Sequence, residues 1–358
     1  MSTSPQPMRI NHDELFSDEV EEFLGVRRQQ TREIGESVQQ PFLIRMFYAS
    51  WFYLSIASGV GAVIAWAVLE PFFHDGLHAK KEGIDLVALF LFPTVAGCIG
   101  LFLGAAEGAI CRNPRRATLS ALVGFGVGFG GGLITLLAAG FLFLIALGLA
   151  GAVEKNPQPG KMPTGFAFLI LMMGRAAAWA LASIPAGLGQ GIALKDKKVA
   201  INGVVGGVLG GLVGGLLFDP ISLAFTTADG KATLSRAIGF TMIGLFVGLF
   251  VGLVEGWTKT AWLLMRQGPL AGKQFILFRD VTVLGSSPSA DIYLFKDALI
   301  EPRHAVIYNR GGRFEVEDCG TPDGTYVNGM AIQRRWLESG DQLALGKTVL
   351  EFDLREAK

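Results

Sequence analysis

Six long apolar runs occupy most of the first 265 residues of the chain, and polar segments flank them on both sides. A helix of about 20 residues crosses a bilayer core about 30 Å thick. The pattern therefore predicts a helical membrane domain at residues 46–265 behind a polar tail at residues 1–45. The third run exceeds one span, so we expect it to tilt, kink or project. The runs cover residues 47–69, 85–110, 119–150, 165–193, 199–218 and 234–264.

Positively charged residues cluster in alternate loops between these runs. Because loops rich in Lys and Arg stay in the cytoplasm, the distribution predicts an inner-membrane protein with both termini cytoplasmic. The clusters are Arg112, Arg115 and Arg116, then Lys195, Lys197 and Lys198, then Lys259 and Arg266.

The chain is rich in glycine, with 48 residues, and repeats one short phrase three times, at Gly104–Gly108, Gly187–Gly191 and Gly252–Gly256. A shift of 83 residues superposes the first two copies, and a shift of 65 superposes the second and third. We interpret the spans as three tandem helical hairpins, at residues 47–110, 119–193 and 199–264. Glycines four residues apart favour close helix packing, and a pore or sliding interface is the alternative.

Four polar side chains within the apolar runs are candidate functional residues. Glu107, Gln190 and Glu255 are the polar residues of the repeated phrase. One interpretation pairs Glu107 with Arg112 and Glu255 with Lys259 near the basic loops. A ring that binds an ion or a substrate is the alternative.

Arg175, the fourth candidate, lies about ten residues into the fourth run. A charge at mid-membrane costs about 2.5–3.5 kcal/mol and normally faces protein, water or a partner. Glu70 and Asp219 are its nearest candidate partners by depth. A structural ion pair and a functional site are both open.

Residues 268–358 change to short alternating segments separated by turn residues, as in an all-β sandwich. Asn328-Gly329 is a tight-turn pair. The predicted strands are Gln274–Phe278, Thr282–Ser286, Asp291–Phe295, His304–Asn309, Arg313–Asp318, Thr325–Asn328, Gln342–Leu345 and Val349–Asp353.

Four ordered motifs in this region carry a resemblance to a known family. They are Leu284-Gly285-Ser286, then Glu301-Pro302-Arg303-His304-Ala305, then Gly320 through Gly329, then Gly340-Asp341 with Gly346. Their order and spacing resemble a forkhead-associated (FHA) domain over roughly residues 268–354. The resemblance implies that Gly285, His304, Gly324, Asn328 and Gly329 hold the loops.

The same resemblance places a phosphothreonine pocket at Ser286, Glu301, Pro302 and Asp323, where the family uses Arg, Ser, its neighbour and Asn. A phosphate carries about −1.5 to −2 charges and is held by cationic or neutral donors. Two acidic residues and no Arg make a degenerate pocket. We therefore expect protein binding without classical phosphothreonine dependence.

No catalytic motif and no spaced metal-ligand set appears in the sequence, so we expect no enzyme activity, cofactor or metal. We hypothesise a membrane-anchored interaction or signalling scaffold, possessing a lipid-embedded part that forms homo-oligomers and a domain that recruits a cytoplasmic protein or peptide. We expect no nucleic-acid partner. The alternatives are a channel or transporter regulated by the FHA-like domain, and a true phosphopeptide reader.

Overall fold

The computed structural model describes residues 41–73, 86–154, 162–226 and 231–355. Most of the polar tail therefore lies outside the described residues, as does the loop at residues 74–85. The described chain consists of a helical region followed by an all-β sandwich.

Seven α-helices form the first region, and six of them, α2 to α7, are long and apolar enough to cross a membrane. A short 3-10 turn, Glu70–Phe72, extends α2. At 40 residues, α4 is about 60 Å long. The bounds are α1 Phe42–Phe47, α2 Ser50–Leu69, α3 Leu86–Ile110, α4 Pro114–Val153, α5 Gly165–Leu194, α6 Lys197–Phe225 and α7 Thr233–Thr258.

The α3–α4 and α5–α6 loops have the same geometry. Arg112 and Lys195 both adopt the left-handed backbone region, with φ of 51° and 53°. The next residues, Asn113 and Asp196, cap the following helices by accepting backbone N–H groups through their side chains. Each pair is 83 residues apart. We call the end of the helices where these two loops lie the basic end.

The same 83-residue spacing appears where the helices touch. A Cβ atom added to Gly104 would lie 2.2 Å from the carbonyl oxygen of Ser120, and one added to Gly187 would lie 1.9 Å from that of Gly203. Only glycine permits these approaches, because a Cβ atom does not come that close to a carbonyl oxygen. The α3–α4 and α5–α6 pairs are therefore packed through equivalent positions.

The third equivalent contact joins α7 to α2, but its register differs from the one predicted. A Cβ atom on Gly248 would lie 2.1 Å from the carbonyl oxygen of Leu54. Gly248 follows Gly187 by 61 residues, so the predicted shift of 65 is wrong by one helical turn. Glycines repeat at every fourth residue, and sequence matching therefore cannot separate registers that differ by one turn. Glu255 consequently lies one turn further along its helix than Gln190 does.

The six long helices form a closed ring in which α7 packs on α2, and α3, α5 and α7 all contact one another. Apolar side chains fill the middle of this ring, including Leu54, Leu103, Trp179, Phe240 and Val247. A packed interior does not favour a pore, because a water-filled path needs polar lining and open space.

The sandwich contains a six-stranded and a five-stranded sheet, in the orders β2-β1-β11-β10-β7-β8 and β4-β3-β5-β6-β9. Alternating buried residues of both sheets form one core. The strands are β1 Ala261–Gln267, β2 Gln274–Ile276, β3 Val281–Gly285, β4 Ile292–Tyr293, β5 Ala305–Arg310, β6 Arg313–Asp318, β7 Thr325–Val327, β8 Met330–Ile332, β9 Arg334–Leu337, β10 Gln342–Leu345 and β11 Thr348–Leu354.

Strand β1 corrects two predicted boundaries. Helix α7 ends at Thr258 and β1 begins at Ala261, so the sixth helix does not reach residue 264 and the sandwich begins before residue 268. Residues 261–265 are all apolar because their side chains alternate between the core of the sandwich and a half-buried face. In the sequence this apolar strand directly continues the apolar helix before it, so the two cannot be told apart by hydrophobicity. The sequence pattern does not predict strands β8 and β9. The residues of β8 are mostly exposed and β9 contains two arginines, so neither strand shows alternation of apolar and polar residues.

The sandwich is docked on the basic end of the helices. Cys111 of the α3–α4 loop is buried in the apolar core cluster of the sandwich. The Asn113 side chain donates to the carbonyl of Pro288 at 2.7 Å, and the Arg116 guanidinium donates to that of Asp291 at 2.7 Å. Arg279 donates in return to the carbonyl of Leu194 at the end of α5. The two regions therefore share packing and hydrogen bonds, in addition to their two-residue linker.

Candidate functional site

The polar residues of the repeated phrase line one cavity at the junction of the helices and the sandwich. Glu107, Gln190 and Glu255 come from α3, α5 and α7, whose mutual contacts bring these side chains to the same end of the ring. The cavity has a volume of about 80 Å³. Gln190 and Glu255 are 4% and 5% exposed. Residues 148 positions apart in sequence are thus grouped by the helix ring.

Lys273 closes the cavity from the sandwich side. It lies at the end of the β1–β2 hairpin loop and is 2% exposed. Its Nζ atom is 5.0 Å from the ring centroid of Tyr53 and 5.6 Å from that of Phe275. Burial by itself would lower the pKa of Lys273, but Tyr53, Cys111 and the two glutamates outweigh it and raise that pKa. The ammonium is therefore charged.

The other charges that line the cavity have local partners. An Arg116 nitrogen lies 3.9 Å from a Glu107 carboxylate oxygen, and Arg279 pairs with Asp291. Asp196 accepts the backbone N–H groups at the start of α6. Lys273 and Glu255 are the two charged residues lining the cavity that are more than nine-tenths buried. They come from opposite sides of the junction.

These contacts replace the pairs expected from sequence. Glu107 faces Arg116, whereas the Arg112 guanidinium lies over the Phe295 ring at 6.0 Å. Lys259 donates to the Gln274 side chain at 2.7 Å, and Ser50 hydrogen-bonds Glu255 instead. Both original pairings assumed that the nearest cation in sequence is the nearest in space. The left-handed turn at Arg112 and the end of α7 at Thr258 direct those cations elsewhere.

The two candidate partners of Arg175 have different roles. Arg175 Nε lies 2.7 Å from Asp219 Oδ1, and its guanidinium lies over the Phe143 and Phe218 rings. Glu70 instead accepts two hydrogen bonds from Arg236, at 2.6 and 3.0 Å. The sequence did not indicate Arg236 as the partner of Glu70. Arg236 lies near the start of α7, where a charged residue is usually assigned to the preceding loop.

The loops at one apex of the sandwich are held by buried polar contacts. His304 is fully buried, and its ring accepts the Glu301 N–H at 3.2 Å and contacts the Gly324 carbonyl at 3.1 Å. At the opposite end of β7, the Asn328 side chain donates to Asp341 at 2.6 Å and accepts from Gln342 N at 2.9 Å. Asn328 and Gly329 both have positive φ, as their tight turn requires.

Gly285 sets the approach of two of these loops. A Cβ atom there would lie 2.2 Å from the Pro302 carbonyl oxygen. The adjacent Ser286 N–H donates to the Glu301 carbonyl at 2.9 Å. Ser286 and Asp323 are half-buried, whereas Glu301 and Pro302 are exposed. The four positions thus present two acidic residues, a hydroxyl and an apolar ring at the apex.

Comparison with known proteins identifies the sandwich. The profile of the FHA domain matches residues 282–346. The chain belongs to the FHA domain family. The matched residues include the apical loops described above. Membership of this family, together with relatives that are regulators, indicates a regulatory role through protein interaction.

Curated relatives match about a quarter of the chain. The oxoglutarate dehydrogenase inhibitors of Corynebacterium diphtheriae and Corynebacterium jeikeium are 41% and 39% identical, over 25% and 28% of this chain and 62% and 69% of theirs. The glycogen accumulation regulator GarA of Mycolicibacterium smegmatis is 39% identical over 26% of this chain and 58% of its own. The chain thus spans about three fifths of the length of the first two relatives in this comparison.

Among solved structures, the FHA domain of the CT664 protein from Chlamydia trachomatis is 27% identical. It covers 27% of this chain and all of that domain, with a TM-score of 0.26.

Several residues of the junction gave no signal in the sequence. Lys273, Arg279 and Cys111 belong to a hairpin turn, a strand connection and a loop, where charged and small residues are ordinary. Their contacts exist only because the sandwich rests on the helices. Within the described residues, no group of His, Cys, Asp and Glu is arranged to hold a metal ion.

Proposed function

We propose that this protein is a membrane-anchored regulatory protein whose FHA domain recruits a cytoplasmic protein without reading phosphothreonine. The observation that carries the proposal is the apex itself. Its loops are ordered by His304 and by Asp318, which accepts hydrogen bonds from Thr321 and Thr325, so a binding surface is preformed. That surface carries Glu301 and Asp323 where a phosphate would need cationic or neutral donors.

Arg303 supports the same conclusion. It is the cation next to the apex in sequence, and its side chain is exposed and hydrogen-bonds Cys319 at the end of β6. Since His304 is directed into the buried loop network, the alternation along the chain turns Arg303 away from it. A phosphate bound at the apex would therefore lie closer to the carboxylates of Glu301 and Asp323 than to the guanidinium of Arg303.

Phosphopeptide titration tests the phosphate-independent part of the proposal. Full-length protein in detergent is titrated with a phosphothreonine peptide library and with the same peptides unphosphorylated. We expect no preference above about threefold, since no charge-assisted bond to phosphate is available. A preference of a hundredfold or more would establish a true phosphopeptide reader instead.

Site-specific photo-crosslinking tests recruitment itself. A photoreactive residue at Pro302 samples the apex, and one at Gln267, an exposed position in the β1 strand, is the control. We expect a discrete protein adduct from position 302 that survives phosphatase treatment of the cells. An adduct that phosphatase abolishes, or equal labelling from both positions, would contradict the proposal.

Membrane anchoring rests on the six long apolar helices and on the outward-facing apolar side chains of α4, such as Ile134 and Leu137, which are 80% exposed. Exposed apolar surface of this extent is compatible with contact to lipid.

Cys319 is exposed on the FHA domain, so its labelling shows on which side of the membrane the domain lies. With Cys98 and Cys111 replaced by Ala, an impermeant maleimide should label Cys319 only after the inner membrane is opened. Labelling of intact spheroplasts would reverse the proposed orientation.

A further inference from the structure

The junction between the helices and the sandwich contains apolar contacts and hydrogen bonds to backbone carbonyls, and it also buries two ionisable side chains. Lys273 on the sandwich and Glu255 on the helices are both almost completely buried at the same cavity. Glu107 and Gln190 complete the helix side of that cavity. Its volume leaves room for water to bridge the ammonium and the carboxylates.

A buried charge is tolerated only while its counter-charge is present. Removing one member of a buried pair leaves the other desolvated and uncompensated, and this costs far more than the pair itself contributes. Here the two members belong to different regions of the chain. Their compensation therefore depends on the sandwich staying in place, and separation of the two regions returns both charges to water.

We propose that Lys273 is an electrostatic latch that holds the FHA domain on the helices by facing the acidic side chains of Glu107 and Glu255 across the cavity. Release of the latch uncovers the three polar residues of the repeated phrase at the basic end. A partner that binds the FHA domain and shifts it would thereby change the charge at the end of the helical region. This goes beyond recruitment, because it links the sandwich to the helices.

The chain carries its own reporter of the docked state. The side chain of Cys111, in the α3–α4 loop, is buried in the core of the sandwich, so its thiol is covered only while the sandwich is docked. Burial raises the pKa of this thiol to about 11, which slows its alkylation further. In a full-length protein with Cys98→Ala and Cys319→Ser, the rate of maleimide labelling measures undocking.

The test is a double-mutant cycle on that background. Lys273→Met should accelerate Cys111 labelling by about a hundredfold, because the acidic side chains of Glu107 and Glu255 lose the cation that the sandwich supplies. Glu255→Gln should accelerate it less, because Glu107 remains at the cavity beside Lys273. The double variant should label more slowly than Lys273→Met alone, because no uncompensated charge remains. Lys273→Arg, which keeps the charge, should stay well below Lys273→Met.

Lys259→Met is the matched control, since Lys259 lies at the same junction but its hydrogen bond goes to neutral Gln274. Equal labelling of Lys273→Met and Lys259→Met would overturn the latch, and so would a double variant whose acceleration is the product of the two single effects. Hydrogen exchange of β5 separates undocking from unfolding. Protected β5 amides with an accessible Cys111 support the latch, whereas joint loss of both protections contradicts it.

Discussion

Arg175 and Asp219 form an ion pair between α5 and α6, with Nε 2.7 Å from Oδ1, and Asp219 is completely buried. The two atoms are close without the alignment of a hydrogen bond, and within the described residues neither Asp219 oxygen has a hydrogen-bond donor. The ion pair is therefore the main compensation for this carboxylate.

Arg175→Leu should destabilise the helical region by about 3 kcal/mol, since it leaves Asp219 buried and unpaired. Arg175→Leu combined with Asp219→Asn should recover most of that loss. Thermal unfolding of the detergent-solubilised protein measures both. Equal stability of wild type and the single variant would show that Asp219 is compensated in another way.

The third copy of the repeated phrase offers a matched pair of glycines. A Cβ atom on Gly252 would lie 2.4 Å from the Trp51 Cα, whereas one on Gly256 would meet nothing within 4 Å. Gly252→Ala should cost about 1–3 kcal/mol by forcing α7 away from α2. Gly256→Ala should be neutral or stabilising by up to about 1 kcal/mol, because alanine favours helix. Similar effects at the two sites would contradict the packing described for α2 and α7.

The acid stability of the FHA domain should depend on Asp318. Burial by itself would raise the pKa of Asp318, but hydrogen bonds from Thr325, Thr321 and Gly320 hold it below its usual value. The stabilisation is then present above about pH 4 and is lost as the pH falls through the depressed pKa. Melting temperatures at pH 7, 5 and 3 should converge for wild type and Asp318→Asn at the lowest pH. A constant difference across the series would exclude this role.

Phosphothreonine binding should be recoverable by restoring donors at the apex. Ser286→Arg, Glu301→Ser and Asp323→Asn together replace two carboxylates and add a guanidinium on loops that are already ordered. A charge-assisted bond contributes about 1.5–3 kcal/mol, so affinity for phosphothreonine peptides should rise at least about tenfold. Ser286→Arg alone is the control, and we expect less from it because Glu301 and Asp323 remain. No gain in the triple variant would mean that the loop geometry, and not its charge, prevents phosphate binding.

Local patterns were enough for several features. Long apolar runs predicted six helices, and the structure has helices at those places. Alternation predicted most strands of the sandwich, and the FHA motifs predicted its family, which the comparison confirms. The errors arose where two patterns overlapped, as at Ala261–Met265, where a helix end and a core strand are both apolar.

The composition of the repeated phrase was readable from sequence, but its geometry was not. Sequence supplied Glu107, Gln190 and Glu255 as candidates and offered cations nearby in the chain as partners. Their position at one cavity depends on how the ring of helices closes, and Lys273 reaches them from the sandwich.

The amino-acid sequence by itself determined the helices, the family of the sandwich and the degenerate charge of its apex, because these follow from hydrophobic periodicity and from motifs a few residues long. Only the tertiary structure decided the register of α7 against α2, the partner of each buried charge and the docking of the sandwich. Those features depend on contacts between residues far apart in the chain, and burial gives such contacts their energy.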